Sequence, residues 1–270
     1  AKMLKQKFDI PVILGGAALA NYDLRELMLA FNFVDFIIIK EGEAAFVELL
    51  RKMKLKDFKT VPNLIWRTKS QIMFNALGPV INLNALPAPN FDGLALKSYF
   101  SPEMIIPLVT SRHCPWGRCK FCNLNAAYHG HYRVRAMRKV IADIRYLNKR
   151  YGAANFFLTD SEMSPKRLKD FSLALIKSKL KVHFACYIRP TQGVTFGLLQ
   201  SFYKAGGRFL VAGVESLSDR CLQQILPYTP LVERASGSGH FYLDVSGVRR
   251  LFGPPQDIGR FLSLYYRSQE

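Results

Sequence analysis

Short apolar runs alternate with stretches of helical periodicity along most of this chain, and that alternation limits the architecture more than any other feature. Residues 10–14 form an apolar run ending at Gly15 and Gly16, residues 24–31 read as a helix, 34–39 as a second strand and 43–53 as a second helix. Residues 62–75 read as a small hairpin, 63–67 against 71–75. The alternation then resumes with strands at 104–109, 155–158, 182–188 and 209–214. Helices cover 133–150, follow Ser164 and Pro165, and cover 195–204, where Gly206 and Gly207 stop the last one. Elements of this length in this order pack as a parallel sheet carrying helices, an α/β architecture. The prolines of residues 86–93 make a stiff linker that cannot continue a helix. We therefore expect an α/β domain over 1–85, a linker over 86–103, a core over 104–225 and an atypical tail over 226–270.

Three of the five cysteines, Cys114, Cys119 and Cys122, follow the strand at 104–109, where Pro115 and Gly117 force a loop. Thiols clustered on a loop serve either a zinc site with a fourth ligand or an iron–sulfur cluster with one iron left open. His113, His129 or His131 would complete the zinc site, and spacing alone leaves both uses standing. A disulfide framework is a poor reading of an odd number of thiols in a chain without a secretory pattern. Cys186, inside a strand, reads as core; Cys221 receives no role. Strand order sends Cys114, Asp160, Arg189 and Glu215 to carboxyl ends of strands, hence to one rim, where ligands gather in parallel α/β folds.

The formal net charge of +18 suggests nucleic acid. The positive residues are spread, however, and the densest run, 133–150, has Met137, Val140, Ile141, Ile144 and Leu147 on a buried face. Arg138, Lys139, Arg145 and Lys149 are then a solvated helix face, with an RNA surface as the less favoured reading. No apolar run approaches the roughly 20 residues that span a bilayer, and the N-terminus has no signal-peptide pattern. A cytoplasmic protein without a membrane partner is expected.

The run S-R-H-C-P-W-G-R-C-K-F-C-N over 111–123, followed by Tyr128, His131, Tyr132 and Arg133, resembles the cluster loop of radical S-adenosylmethionine (SAM) enzymes. The likeness is to the branch with a cobalamin-binding domain ahead of the barrel, including enzymes that modify ribosomal peptides. That family spaces its cysteines by three residues and then two; this chain has four and then two. The resemblance implies a [4Fe-4S] cluster on Cys114, Cys119 and Cys122, SAM on the open iron and Phe121 against its adenine. F-F-L-T-D-S-E over 156–162 is similar to the second barrel strand, which implies SAM contacts from Asp160 and Ser161. A-G-V-E-S-L-S-D-R-C-L over 212–222 is similar to the fourth, which implies Glu215 and Ser216; Arg189 on the same rim is a further candidate.

V-I-L-G-G and V-D-F-I-I-I-K-E-G-E resemble the C-terminal half of the family's cobalamin-binding domain, with Gly15 and Gly16 beside the cofactor tail. The D-x-H-x-x-G loop has no counterpart, and no histidine precedes His113. The chain reads as a fragment that does not hold cobalamin tightly by itself. The implied fold is the C-terminal part of a Rossmann-like cobalamin-binding domain followed by an incomplete (β/α)6 radical SAM partial barrel. The likeness stops near Ile225. A strand at 241–245 and a helix at 257–266 do not continue it, and a frameshift or truncation is expected there. The implied activity is reductive cleavage of SAM to a 5'-deoxyadenosyl radical, for hydrogen abstraction or methyl transfer on a peptide or other substrate, with ferredoxin or flavodoxin as reductant. The alternative is a non-enzymatic Cys3His zinc module binding RNA.

Overall fold

The computed structural model describes residues 1–101, 103–122, 124, 131–189, 191, 193–213 and 240–244. The chain divides into two compact units, Ala1–Asn82 with Cys122–His131, and Leu83–Phe121 with Tyr132–Glu270.

The first unit holds α1 (Lys2–Phe8), β1 (Ile13–Gly15), α2 (Leu24–Ala30), β2 (Phe36–Ile38), α3 (Glu43–Lys52), β3 (Leu64–Arg67) and β4 (Ile72–Phe74). Its sheet has the order β1-β2-β3-β4; only β1 and β2 are parallel, and the β3–β4 hairpin extends the same sheet antiparallel. The reason lies in β2, whose three residues are all buried and which therefore has neighbours on both edges. Alternate residues face opposite sides. Phe36, Ile38, Leu64 and Trp66 pack with Ala45 and Leu49 of α3, while Ile37, Ile65 and Ile72 pack with Met28 of α2. Asp23 starts α2 by accepting the N–H groups of Arg25 and Glu26 at 2.9 and 3.0 Å.

In the second unit, β5 (Ile105–Leu108), β8 (Asn155–Leu158), β9 (His183–Ile188) and β10 (Gly207–Gly213) run parallel in that spatial order. The helices α4 (Met137–Tyr151), α5 (Pro165–Ser178) and α6 (Phe196–Lys204) alternate with them. A short ribbon, β6 (Ser111–Arg112) with β7 (Arg133–Val134), interrupts the first connection. The late strand is β11 (His240–Asp244), and it pairs antiparallel with β10, so it does not extend the parallel series.

One apolar cluster joins the sheet to the helices: Ile106, Leu108, Phe156, Leu158, Phe184, Cys186 and Ile188 meet Ile144 and Leu147 of α4, Phe171 and Leu175 of α5, and Phe202 of α6. Phe184 stands edge-on to Phe171 and Phe202, each at 4.9 Å, contacts adding about 0.5–1.5 kcal/mol apiece. Gly207 lets the Phe202 ring approach within 2.5 Å of where a Cβ would stand, and Gly206 has φ +100°. Ser164 caps α5 ahead of Pro165, and Gly152 closes α4 in the left-handed conformation.

One expectation needs correction. The basic run at 133–150 is not helical throughout, because Arg133 and Val134 pair with Arg112 and Ser111, and the helix opens only at Met137. The proline-bearing stretch 86–93 is also held by contacts within the second unit. Phe91 donates its N–H to the Tyr151 hydroxyl at 2.9 Å, its ring stands 5.9 Å from that of Tyr151, and Asp92 pairs with Arg150.

Candidate functional site

Parallel strands send all their carboxyl ends to one side, and in the second unit β5, β8 and β9 each end in polar residues. β5 leads through Thr110 and Ser111 to His113 and Cys114. β8 leads to Asp160 and Glu162. β9 leads to Arg189.

Glu162 is the centre of the arrangement. It is 6% exposed, and Cys114 Sγ donates to its Oε2 at 3.4 Å, while Arg189 Nε lies 3.5 Å from its Oε1. The Arg189 guanidinium lies 4.5 Å from the centre of the Trp116 ring, a cation–π contact, and Arg118 approaches the same ring at 5.3 Å. Beyond that ion pair, Arg189 Nη1 and Trp116 Nε1 are buried without a hydrogen-bond acceptor among the described residues. Buried donors are normally met, so orphans gathered at one point mark a place for an acceptor from outside the chain.

Burial pushes the Cys114 thiol above its ordinary pKa. The backbone N–H groups of Gly117 and Trp116 act the other way, and the negative charge of Glu162 adds to the rise. Cys114, Cys119 and Cys122 are half-buried and outside any disulfide. Among the described residues no three His, Cys, Asp or Glu side chains are gathered as a metal-holding group. The donor chemistry nonetheless fits a thiolate-ligated cluster: three cysteines outside any disulfide stand on one short segment, with amides turned toward the first, as a ligating sulfur accepts them. His113, a candidate for the zinc alternative, is buried, and its Nδ1 accepts the Cys114 N–H at 2.9 Å. His129 lies outside the described residues.

Asp160 is not at the rim surface as expected. It is 1% exposed, and its carboxylate turns back onto the end of β5. Oδ1 accepts the N–H groups of Thr110 and Ser111 at 2.6 and 2.9 Å, and Oδ2 accepts the Thr110 hydroxyl. Desolvation raises its pKa against these hydrogen bonds. A carboxylate committed to three internal donors holds the start of the cysteine loop and has little left for a ligand. Ser161 is half-buried beside it, and Phe121 is 54% exposed. Glu215 and Ser216 lie outside the described residues, as does Cys221. Cys186 is fully buried, and desolvation carries its pKa far above the usual thiol range.

In the first unit Gly15 and Gly16 are exposed where β1 ends. Gly16 has φ +104°, a conformation open to glycine, and a Cβ on it would meet nothing within 4 Å, leaving room for close approach to the backbone. Sequence reading missed Glu162 and Trp116 as site residues. Both stand inside the motifs already quoted, but their use depends on Arg189, which only the folded sheet brings to them.

No family model matches the chain. In sequence it is similar to anaerobic magnesium-protoporphyrin IX monomethyl ester cyclases. That of Synechocystis sp. is 23% identical over 229 residues, covering 82% of this chain and 45% of the relative. That of Cereibacter sphaeroides is 28% identical over 207 residues, covering 72% and 33%. The chain thus spans less than half the length of these curated relatives. Among solved structures it matches the cobalamin-dependent SAM radical enzyme OxsB, with aqua-cobalamin and SAM bound, at TM-score 0.66 and 21% identity, over 84% of this chain and 34% of that one. It also matches the radical SAM methyltransferase TsrM from Kitasatospora setae, with cobalamin and a [4Fe-4S] cluster bound, at TM-score 0.62 and 16% identity, over 90% and 47%. The α/β fold is that of cobalamin-dependent radical SAM enzymes.

Proposed function

We propose that this chain is part of a radical SAM enzyme of the cobalamin-associated branch, with Cys114, Cys119 and Cys122 as the ligands of a [4Fe-4S] cluster. The observation that carries the reading is the group at the strand ends, where Cys114, Trp116, Glu162 and Arg189 meet around buried donors that lack acceptors. When bound, the cluster supplies one electron to the sulfonium of SAM, so that the carbon–sulfur bond breaks to methionine and a 5'-deoxyadenosyl radical.

The chain's own residues bind and orient. Arg189 Nη1 and Trp116 Nε1 would hold the SAM carboxylate, Glu162 fixes the Arg189 guanidinium, and Glu162, already the acceptor of the Cys114 thiol, would take its proton on ligation. Phe121 offers its exposed ring to the adenine. Ser161, Glu215 and Ser216 complete the polar set. Asp160 shapes the loop and leaves SAM to the others. Gly15 and Gly16, at the end of β1, are the cobalamin contacts of the complete protein. Hydrogen abstraction from a substrate, with 5'-deoxyadenosine as co-product, would be the chemistry so supplied, with a ferredoxin or flavodoxin as reductant. A peptide is the substrate class that the cysteine-loop likeness favours; the names of the curated relatives add a porphyrin ester to the panel to be tried.

Anaerobic reconstitution tests the reading. About four irons and four sulfides per chain, with 5'-deoxyadenosine released from SAM under dithionite, is the expected result. Cys119→Ala should lose the iron, and Arg189→Ala should keep it while weakening SAM binding about tenfold. A colourless protein carrying one zinc would establish the zinc module instead.

A further inference from the structure

The cysteine loop runs from Arg112 to Arg133, and its base is a separate ribbon of two residue pairs, Ser111 with Val134 and Arg112 with Arg133, extended by the Arg135 N–H donating to the Thr110 carbonyl at 2.8 Å. So short a ribbon is marginal on its own. We propose that Arg167 is the positioning residue that keeps this base closed, acting through Thr110 and Arg135 rather than on any reacting atom. This deepens the assignment of the loop as a cluster site and rests on it for its functional meaning.

One guanidinium nitrogen of Arg167, Nη2, donates to the Thr110 carbonyl at 2.8 Å and to the Arg135 carbonyl at 3.0 Å, one on each side of the base. The same Nη2, at 3.1 Å, and Nε, at 3.3 Å, also reach the Thr110 hydroxyl. That hydroxyl donates onward to Asp160, so the chain of contacts runs from α5 through Thr110 to the end of β8. Arg167 is itself fixed. It sits in the first turn of α5 with its N–H accepted by Ser164 Oγ, next to Leu168, which is wholly buried in the core. On the far side, Arg135 is anchored by a buried pair with Asp143, at 2.6 and 3.1 Å, and by the Leu83 carbonyl.

The chemistry calls for arginine: a planar fork of several donors serves three acceptors in fixed directions, where the compact ammonium of lysine would serve one or two. A base already closed removes much of the ordering cost of bringing three thiols onto one cluster.

Amide hydrogen exchange tests the clamp without reference to any cofactor. Arg167→Ala should speed exchange at 110–112 and 133–135 by about tenfold or more, while 155–158 and 183–188 change less than about twofold. Arg167→Lys should fall between. The iron retained after reconstitution should follow the same order, and the EPR spectrum of the reduced cluster should broaden in Arg167→Ala. Unchanged exchange at the base, or faster exchange spread equally over the sheet, would overturn the proposal. If the unsubstituted protein takes up no iron, the cluster assignment fails, and the exchange pattern still decides whether Arg167 closes the loop.

Discussion

Replacing Asp160 by alanine strips three donors of their acceptor at a point where water cannot replace it. Thr110 and Ser111 are 1% and 2% exposed, and their N–H groups together with the Thr110 hydroxyl all end on this carboxylate. A buried donor left unmet costs about 1–3 kcal/mol, which would put the sum between about 3 and 9. Two effects reduce it: the carboxylate is itself held against desolvation, as its raised pKa indicates, and the loop start can relax toward solvent. A net loss of about 3–4 kcal/mol is expected for Asp160→Ala. Asparagine keeps one oxygen for both backbone N–H groups and should lose only about 1 kcal/mol.

Urea unfolding of all three proteins, with m-values compared, measures this. The sign of the pH dependence follows from linkage. Because the folded-state pKa is raised, the native protein binds a proton at Asp160 that the unfolded chain has already released. The stability of the unsubstituted protein relative to Asp160→Asn should be greatest below the ordinary carboxylate pKa, and fall as the pH rises through the folded-state value. If Asp160→Ala unfolds within about 0.5 kcal/mol of the unsubstituted protein, the hydrogen bonds do not hold the loop start; if Asp160→Asn is as damaged as Asp160→Ala, the charge and not the acceptor geometry is responsible.

Gly206→Ala should cost at least about 3 kcal/mol in the same assay, since φ is +100° and the added Cβ would fall 2.0 Å from the Val182 carbonyl oxygen; a loss under about 1 kcal/mol would show that the β10 start moves freely. Cys186 should stay unmodified by iodoacetamide in the native protein and react only on unfolding, while Cys119 and Cys122, half-buried, alkylate readily when no cluster is bound; peptide mass spectrometry distinguishes the sites.

The order of strands and helices was legible because each is written in local periodicity, and a run such as 155–158 or a cap such as Ser164 with Pro165 needs no distant partner to be recognised. The placing of three thiols on a loop was equally local, fixed by Pro115 and Gly117 within the same stretch. Pairing was not. Nothing near Leu64 says that β3 must cover the second edge of β2, and nothing near Arg133 says that it pairs with Arg112. The side-chain roles were hidden for the same reason. Strand order puts Asp160 at the rim and the family likeness implies a SAM contact there, but its carboxylate accepts from Thr110, 50 positions away, and Arg167 acts across 57 positions on the same residue. A carboxylate turns toward whichever donors the fold brings close, since a buried charge is stable only where it is hydrogen-bonded. The sequence therefore determined which chemical groups stand at the strand ends; the tertiary structure alone decided which of them face inward to hold the loop, as Asp160 and Arg167 do, and which keep a donor unmet among the described residues, as Arg189 Nη1 and Trp116 Nε1 do.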